Sequence, residues 1–173
     1  METSFIAWLD HQPHTPLTDA VKSLYSLSTL RPPTKDELVK LLHKSSENEH
    51  RLYRNDYEQN KAAILAEDEQ FANDILDGSV YALTKTGNDL IAYAPQDDGV
   101  FIYDLYVDES LRGQGIGSEL LQHVVSQANG KPVRLCVAKG NTAAQSLYAK
   151  FGFKKVGEAA DQYKMELITT LAD

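Results

Sequence analysis

The sequence predicts an α+β domain whose mixed, mostly antiparallel sheet contains one central βαβ unit. Hydrophobic residues recur with helical spacing through most of the first 77 residues, and the period changes to that of strands after Gly78. A strand, a glycine-rich turn and a helix then follow one another between Val100 and Val125, and another apolar strand comes next. The 173 residues are enough for one hydrophobic core, so a single domain is expected over residues 1–173.

Residues 1–77 are predicted to be a mostly helical N-terminal part. Residues 4–9 could form a short strand, and apolar spacings of three and four predict a helix over residues 17–30 that two prolines end. Thr34 and Glu37 have the spacing of a capping box, which predicts that a second helix begins there. The apolar face of this helix carries Leu38, Leu41 and Leu42.

The polar segment 45–77 is also predicted to be helical. Its first half has few apolar residues, so it could form a solvated face, a mobile cover over a cleft or a subunit contact. The candidates for a buried stripe are Ile64, Leu65, Phe71, Ile75 and Leu76. Five acidic residues could bind an amine, although such charge runs are more often simply solvated. They are Glu67, Asp68, Glu69, Asp74 and Asp77.

Residues 78–168 are predicted to form the cofactor-binding core. A loop over residues 86–89 has the composition of a hairpin connection. One helix begins near Gly117 and ends before Gly130, and a second covers residues 141–150 with Gly152 as its left-handed end. Strands are predicted over residues 79–85, 90–94, 100–107, 133–137, 154–158 and 163–168.

Composition excludes several classes of protein. The formal net charge of −8 opposes non-specific binding to nucleic acid and suits a cationic acceptor. No apolar run approaches the roughly 20 residues of a membrane span, and no secretory signal is recognised, so a cytoplasmic protein is expected. The single cysteine, Cys136, lies in an apolar run and is expected to be a small buried hydrophobe. No histidine cluster supports a metal site, and no metal is predicted.

The glycine-rich turn RGQGIG, residues 112–117, has the character of a phosphate cradle, because glycines let successive backbone N–H groups approach an anion at a helix start. A Walker loop would need Lys-Ser/Thr after the last glycine, where this chain has Ser118 and Glu119. A dinucleotide loop would need a third glycine at Ser118 and an acid after the next strand, which instead ends on Lys139.

Two segments resemble the signatures of the GNAT N-acetyltransferases. RGQGIG is similar to R/Q-x-x-G-x-G/A, and residues 141–153, NTAAQSLYAKFGF, are similar to N-x-x-A-x-x-L-Y-x-K-x-G-F. The resemblance covers residues 79–168. It implies a three-layer α/β/α fold, acetyl-CoA as cosubstrate and acetyl transfer to a primary amine by direct attack in a ternary complex. It also implies that the chain could form a homodimer.

The resemblance further implies where acetyl-CoA would bind. Its pyrophosphate would lie on the N–H groups of residues 114–118, and its pantetheine arm along the central strand, which splays from the next one. Arg112 would contact the phosphates or brace the turn, and Asn141 would contact the cofactor, cap its helix, or do both. The predicted cofactor-binding residues are Leu105, Tyr106, Val107, Arg112, Gly113, Gln114, Gly115, Ile116, Gly117, Ser118 and Asn141.

Two residues are the candidates for proton transfer. Tyr148, in the second signature, would protonate the departing CoA thiolate as general acid; the alternative is an aromatic residue of the core. Many family members place an acid early in the central strand, where this chain has Phe101 and Tyr103. Asp104 is the nearest carboxylate and the candidate base. Strand alternation puts it opposite to Tyr103 unless a bulge breaks the parity.

A second hypothesis is a non-catalytic acyl-CoA-binding sensor or interaction module of the same fold, which the missing acid at Phe101 and Tyr103 supports. The acyl group could also be larger than acetyl, because the glycines bear only on the pyrophosphate. The sequence does not identify the acceptor, since loops and the N-terminal part would determine it.

Overall fold

The computed structural model describes residues 30–168, so the strand and helix predicted over residues 4–9 and 17–30 fall outside that range except for Leu30. The described α-helices are α1 (Lys35–Glu49), α2 (Tyr57–Leu76), α3 (Ile116–Gln127) and α4 (Thr142–Phe151). A π-helical turn (His50–Arg54) lies between α1 and α2. The described strands are β1 (Tyr81–Leu83), β2 (Asp89–Gln96), β3 (Gly99–Val107), β4 (Val133–Ala138), β5 (Lys154–Glu158) and β6 (Gln162–Leu167).

The described strands form one six-stranded sheet in the order β1-β2-β3-β4-β6-β5. β3 and β4 are parallel and are joined through α3, whereas the other neighbouring pairs are antiparallel. The predicted α+β class, the mixed sheet and the central βαβ unit are therefore confirmed. The predicted first strand is shorter than expected and covers only Tyr81–Leu83.

Helix α1 begins as the sequence predicts. The Thr34 hydroxyl accepts a hydrogen bond from the Glu37 N–H at 3.3 Å, and the Glu37 carboxylate accepts one from the Thr34 N–H at 3.1 Å. Leu38, Leu41 and Leu42 are at most 2% exposed and pack in one cluster with residues of α2 and β2. At about 1.5–3 kcal/mol for each buried leucine, this contact holds the α1–α2 layer against the sheet.

Helix α2 differs from its prediction at two residues. Leu76 is its last residue and is 51% exposed, because the packed stripe ends at Ile75. Asp68, expected on a solvated or amine-binding face, is only 8% exposed. It lies four residues from both Ile64 and Ala72, which are buried, so the helical period places it on their face.

Two polar residues of the sheet also have environments that the sequence did not indicate. Cys136 is exposed, and the expectation of a buried cysteine is wrong. Leu135 and Val137 are buried, and alternation along β4 turns the residue between them to the opposite face. Asp89, expected in a hairpin loop, begins β2 and is fully buried, where it accepts hydrogen bonds from the N–H groups of Lys85 and Thr86 at 2.7 and 3.0 Å.

Candidate active site

β3 and β4 separate after a short ladder. Residues 100–102 pair with residues 133–135, whereas β3 continues to Val107 and β4 to Ala138 without further pairs between them. A parallel pair normally continues its hydrogen bonds along both strands, so this opening leaves main-chain groups of residues 103–107 facing a gap. The splayed strands that the resemblance implies are present.

A β-bulge lies in β3 where the strands diverge. Ala92 of β2 pairs with Asp104 and Tyr93 pairs with Ile102, so Tyr103 is the extra residue. A bulge of one residue breaks the alternation of side chains between the two faces. Because of this bulge, Asp104 and Tyr103 are not forced onto opposite faces of the sheet.

Asp104 faces a polar cleft of about 90 Å³ in the gap between β3 and β4; Glu49, Tyr53, Cys136 and Tyr148 also line it. The Ser45 hydroxyl donates a hydrogen bond to Oδ1 of Asp104 at 2.8 Å. Burial, followed by the negative charges of Glu49 and Asp68, raises the pKa of Asp104 to about 7, although the Ser45 hydrogen bond lowers it. A carboxylate with a pKa near neutrality is suited to accept a proton.

Tyr148 lines the polar cleft from α4. It is 6% exposed, and its ring packs on Phe153 with 5.7 Å between the centroids. Burial, together with the charges of Asp104 and Glu49, raises the pKa of Tyr148 far above its usual value. The phenol therefore remains protonated at neutral pH. Within residues 30–168 it makes no hydrogen bond, which leaves its proton available to a bound group.

A larger groove of about 360 Å³ adjoins the cleft between β3, the glycine turn and α4. Gly113 and Gly115 have φ of +78° and +80°, and a Cβ on either would point into open space. Gly115 precedes the first residue of α3 and has no side chain with which to cap it. The N–H groups of the first helical turn, which the intrahelical ladder does not use, are therefore available to an anion.

The groove brings together ten of the eleven predicted cofactor-binding residues. Gln114 is not among its lining residues. The ten are Leu105, Tyr106, Val107, Arg112, Gly113, Gly115, Ile116, Gly117, Ser118 and Asn141.

Arg112 and Asn141 each have a structural contact in addition to their place in the groove. Nε of Arg112 donates a hydrogen bond to the Val107 carbonyl at 3.0 Å, which braces the turn against the end of β3. Oδ1 of Asn141 accepts one from the Ala144 N–H at 3.1 Å, so this residue is the N-cap of α4. Cofactor contact by either residue stays a prediction.

Sequence reasoning missed the polar residues of α1 that line the cleft. Ser45 and Glu49 continue the stripe of Leu38 and Leu42, with spacings of four, three and four residues. Residues at these spacings share one face of a helix, so both project toward the sheet beyond the leucines. The sequence does contain an indication of their position: the stripe of α1 that faces the core changes from leucine to polar residues at Ser45.

The π-helical turn lies at the cleft and contributes a lining residue to it. This turn was not predicted from the sequence. Tyr53 lines both the cleft and the groove, and a Cβ on Gly140 would lie 3.1 Å from Cδ1 of Tyr53. Arg54 forms ion pairs with Glu49 at 3.0 Å and with Asp161, before β6, at 3.4 Å. These contacts connect α1 to the turn between β5 and β6.

Residues 30–168 contain neither a metal-binding cluster nor a membrane-spanning helix. No group of three or more His, Cys, Asp or Glu side chains in this range could hold a metal ion. None of the helices in the same range combines the length and hydropathy of a membrane span.

Comparisons with known proteins agree with this geometry. Residues 37–153 match the model of the acetyltransferase (GNAT) family. A 55-residue segment, 32% of this chain, is 40% identical to the peptidyl-lysine N-acetyltransferase YjaB of Salmonella typhimurium, of which it spans 37%. The match therefore covers little more than a third of that relative.

Solved structures share the fold. The PaiA N-acetyltransferase of Thermoplasma acidophilum, solved in complex with coenzyme A, superimposes with a TM-score of 0.67 at 20% identity, over 81% of this chain and 98% of that one. A GNAT-family acetyltransferase of Staphylococcus aureus superimposes with a TM-score of 0.58 at 16% identity, over 81% of this chain and 98% of that one.

Proposed function

The chain belongs to the acetyltransferase (GNAT) family, and on that premise we propose that it transfers an acetyl group from acetyl-CoA to a primary amine of a small molecule or peptide. The acceptor attacks directly in a ternary complex. The observation that carries this proposal is the cleft at the β3–β4 opening, which holds Asp104 and Tyr148 and adjoins the groove of the glycine turn.

The groove has features suited to acetyl-CoA. The N–H groups at the start of α3 and the positive end of the helix dipole would hold the pyrophosphate. Main-chain groups of residues 105–107, which have no partners on β4, would bind the pantetheine arm. The open space at Gly113 and Gly115 lets phosphate oxygens approach the backbone.

The cleft residues would divide the proton transfers. Asp104 accepts the proton that the ammonium group of the acceptor must lose before its nitrogen attacks the thioester carbon. A main-chain N–H in the β3 opening stabilises the oxyanion that forms. As the carbon–sulfur bond breaks, Tyr148 donates its proton to the sulfur. The attacking nitrogen still carries one extra proton and loses it to the Tyr148 phenolate, so acetylated amine and CoA thiol are the products and Asp104 holds the first proton.

The acceptor class follows from charge. Glu49 and Asp104 make the cleft acidic, and a cationic amine is the group that such a cleft attracts. The similarity to a peptidyl-lysine N-acetyltransferase makes lysine-containing peptides the first acceptors to test.

The sensor hypothesis rested on the absence of an acid at Phe101 and Tyr103. Asp104, which follows the bulge and lines the cleft, supports the enzyme instead. The decisive experiment measures CoA release with lysine peptides, diamines and amino acids, using the wild type and Tyr148→Phe. If the wild type releases CoA with one of these acceptors and Tyr148→Phe does not, the result supports the proposed acetyltransferase. Tight acetyl-CoA binding without turnover on every acceptor contradicts it and supports the sensor.

A further inference from the structure

We infer that Ser45 is a positioning residue for the reaction: its hydroxyl orients the Asp104 carboxylate and stabilises the charged form that accepts the proton. This inference rests on the proposed function, in which Asp104 is the base. No signature of the sequence includes Ser45, which lies on α1, 59 residues before its partner.

The geometry is that of a directional contact. The Ser45 hydroxyl donates to Oδ1 of Asp104 at 2.8 Å in a partly buried environment, and both residues line the polar cleft. The hydrogen bond to Oδ1 restricts rotation of the carboxylate, with which the backbone of Leu105 forms a further hydrogen bond. Hydrogen bonds to ionised acceptors are about twice as strong as neutral ones.

The contact is made by two independent features of the backbone. The bulge at Tyr103 brings Asp104 to the side of the sheet that α1 covers. Helical periodicity places Ser45 on the face of α1 that carries Leu38 and Leu42, so the buried leucines fix its height above the sheet. A hydroxyl on a rigid helix is more precisely placed than one on a loop.

The groups that face Asp104 explain why a donor matters. Glu49 of α1 and Asp68 of α2 are acidic and disfavour its ionised form, as burial does. Tyr148 of α4 and Tyr106 of β3 are tyrosines whose pKa values are raised chiefly by burial and, to a lesser extent, by the charge of Asp104. Among these side chains, Ser45 is the one that donates to the carboxylate and lowers its pKa.

The test compares the pH dependence of kcat/KM for four variants with that of the wild type. Ser45→Ala removes the hydroxyl, Ser45→Thr keeps it, and Asp104→Asn removes the base. Ser79→Ala is the matched control, because Ser79 donates to the Asp77 carboxylate at 2.6 Å on the surface, away from the cleft. A second readout that needs no turnover is the NMR titration of the Asp104 carboxyl carbon in wild type and Ser45→Ala.

Loss of the hydroxyl is expected to move the acidic limb of Ser45→Ala upward by about one pH unit, which is a roughly tenfold loss of kcat/KM on that limb. The plateau at high pH should largely recover, and the carboxyl titration should shift in the same direction. Ser45→Thr and Ser79→Ala should follow the wild-type profile.

Two results would overturn the inference, and they are distinguishable. If Asp104→Asn loses the limb but Ser45→Ala leaves the limb and the carboxyl titration unchanged, the role of Ser45 is wrong and the proposed base stands. If Asp104→Asn keeps the wild-type limb, Asp104 is not the base, and the role of Ser45 fails with it.

Discussion

Tyr103 and Asp104 are consecutive residues of β3, yet both contact the α1–α2 layer: the ring of Tyr103 lies 5.7 Å from that of Phe71, and Asp104 bonds to Ser45. In a regular strand one of the two would face the opposite side of the sheet. The bulge that brings them together gives this chain a carboxylate in the cleft without an acid at Phe101 or Tyr103.

The first prediction concerns the pH dependence of turnover. Asp104 must be ionised to accept a proton and has a pKa of about 7, so kcat/KM should fall about tenfold per unit as pH drops below 7. Asp104→Asn should lower kcat/KM at pH 8 by on the order of 10²-fold. Initial rates between pH 5.5 and 9 test both expectations, and Asp74→Asn on α2, which lines neither the cleft nor the groove, is the control. A flat wild-type profile would argue against Asp104 as the base.

The same residue should reduce stability at high pH. Folding raises the pKa of Asp104 from the ordinary 3.8 of an aspartic acid to about 7, so the folded state holds more protons than the unfolded state between pH 4 and 7. The free energy of unfolding therefore falls through this window as pH rises. Asp104→Asn should raise the melting temperature at pH 8 and have a much smaller effect at pH 4. An equal effect at both pH values would mean that the raised pKa is not the cause.

Tyr148→Phe should separate chemistry from binding. It removes the phenolic proton and leaves the ring that packs on Phe153. We expect kcat to fall by on the order of 10²-fold or more, with acetyl-CoA affinity nearly unchanged. Steady-state kinetics and calorimetric titration with CoA measure the two effects. Wild-type turnover in this variant would exclude Tyr148 as the acid.

Gly115→Ala tests the glycine turn. At φ +80° an alanine is strained by roughly 1–2 kcal/mol, although its Cβ would meet no other atom. The turn should relax, and the KM for acetyl-CoA should rise several-fold. Gly78→Ala is the matched control, because φ is +89° there and the space is equally open, but the residue does not line the groove. It should lose similar stability and keep the wild-type KM; an equal rise in KM would show that the effect is not local.

Asp89→Ala should destabilise the fold without a direct effect on the chemistry. The carboxylate is fully buried and satisfies the N–H groups of Lys85 and Thr86, which would lose their partners. We expect the free energy of unfolding to fall by about 3 kcal/mol, measured by urea titration. Asp77→Ala, at an exposed turn, is the comparison and should cost much less. A loss below 1 kcal/mol would mean that water replaces the carboxylate.

Local patterns predicted the elements that depend on neighbouring residues. The Thr34 capping box, the Asn141 N-cap and the left-handed Gly152 each follow from interactions within a few residues, and all are present. The glycine turn was recognisable for the same reason. Ten residues that line the groove were named from the family resemblance; nine lie on β3 and on the glycine turn with the start of α3, and Asn141 lies at the start of α4.

Features that depend on pairing between distant segments were not predictable. The bulge at Tyr103 arises from the register between β2 and β3, and Cys136 is exposed because its face of β4 is open. Asp68 is buried because it lies on the side of α2 that packs against the rest of the fold, and the polar composition of this segment did not indicate which side that is. The hydrogen bond between Ser45 and Asp104 joins residues far apart in sequence, so the sequence could indicate only that Ser45 lies on the core-facing stripe of α1.

The ladder of three residue pairs between β3 and β4 has a mechanical consequence. It divides the sheet into two plates, β1-β2-β3 and β4-β6-β5, whose main-chain hydrogen bonds to each other are confined to one end. A CoA molecule that forms hydrogen bonds with the unpaired edges of both β3 and β4 would take the place of the missing ladder and connect the two plates. Bound CoA should therefore slow amide exchange in residues 103–107 and raise the melting temperature with ligand concentration.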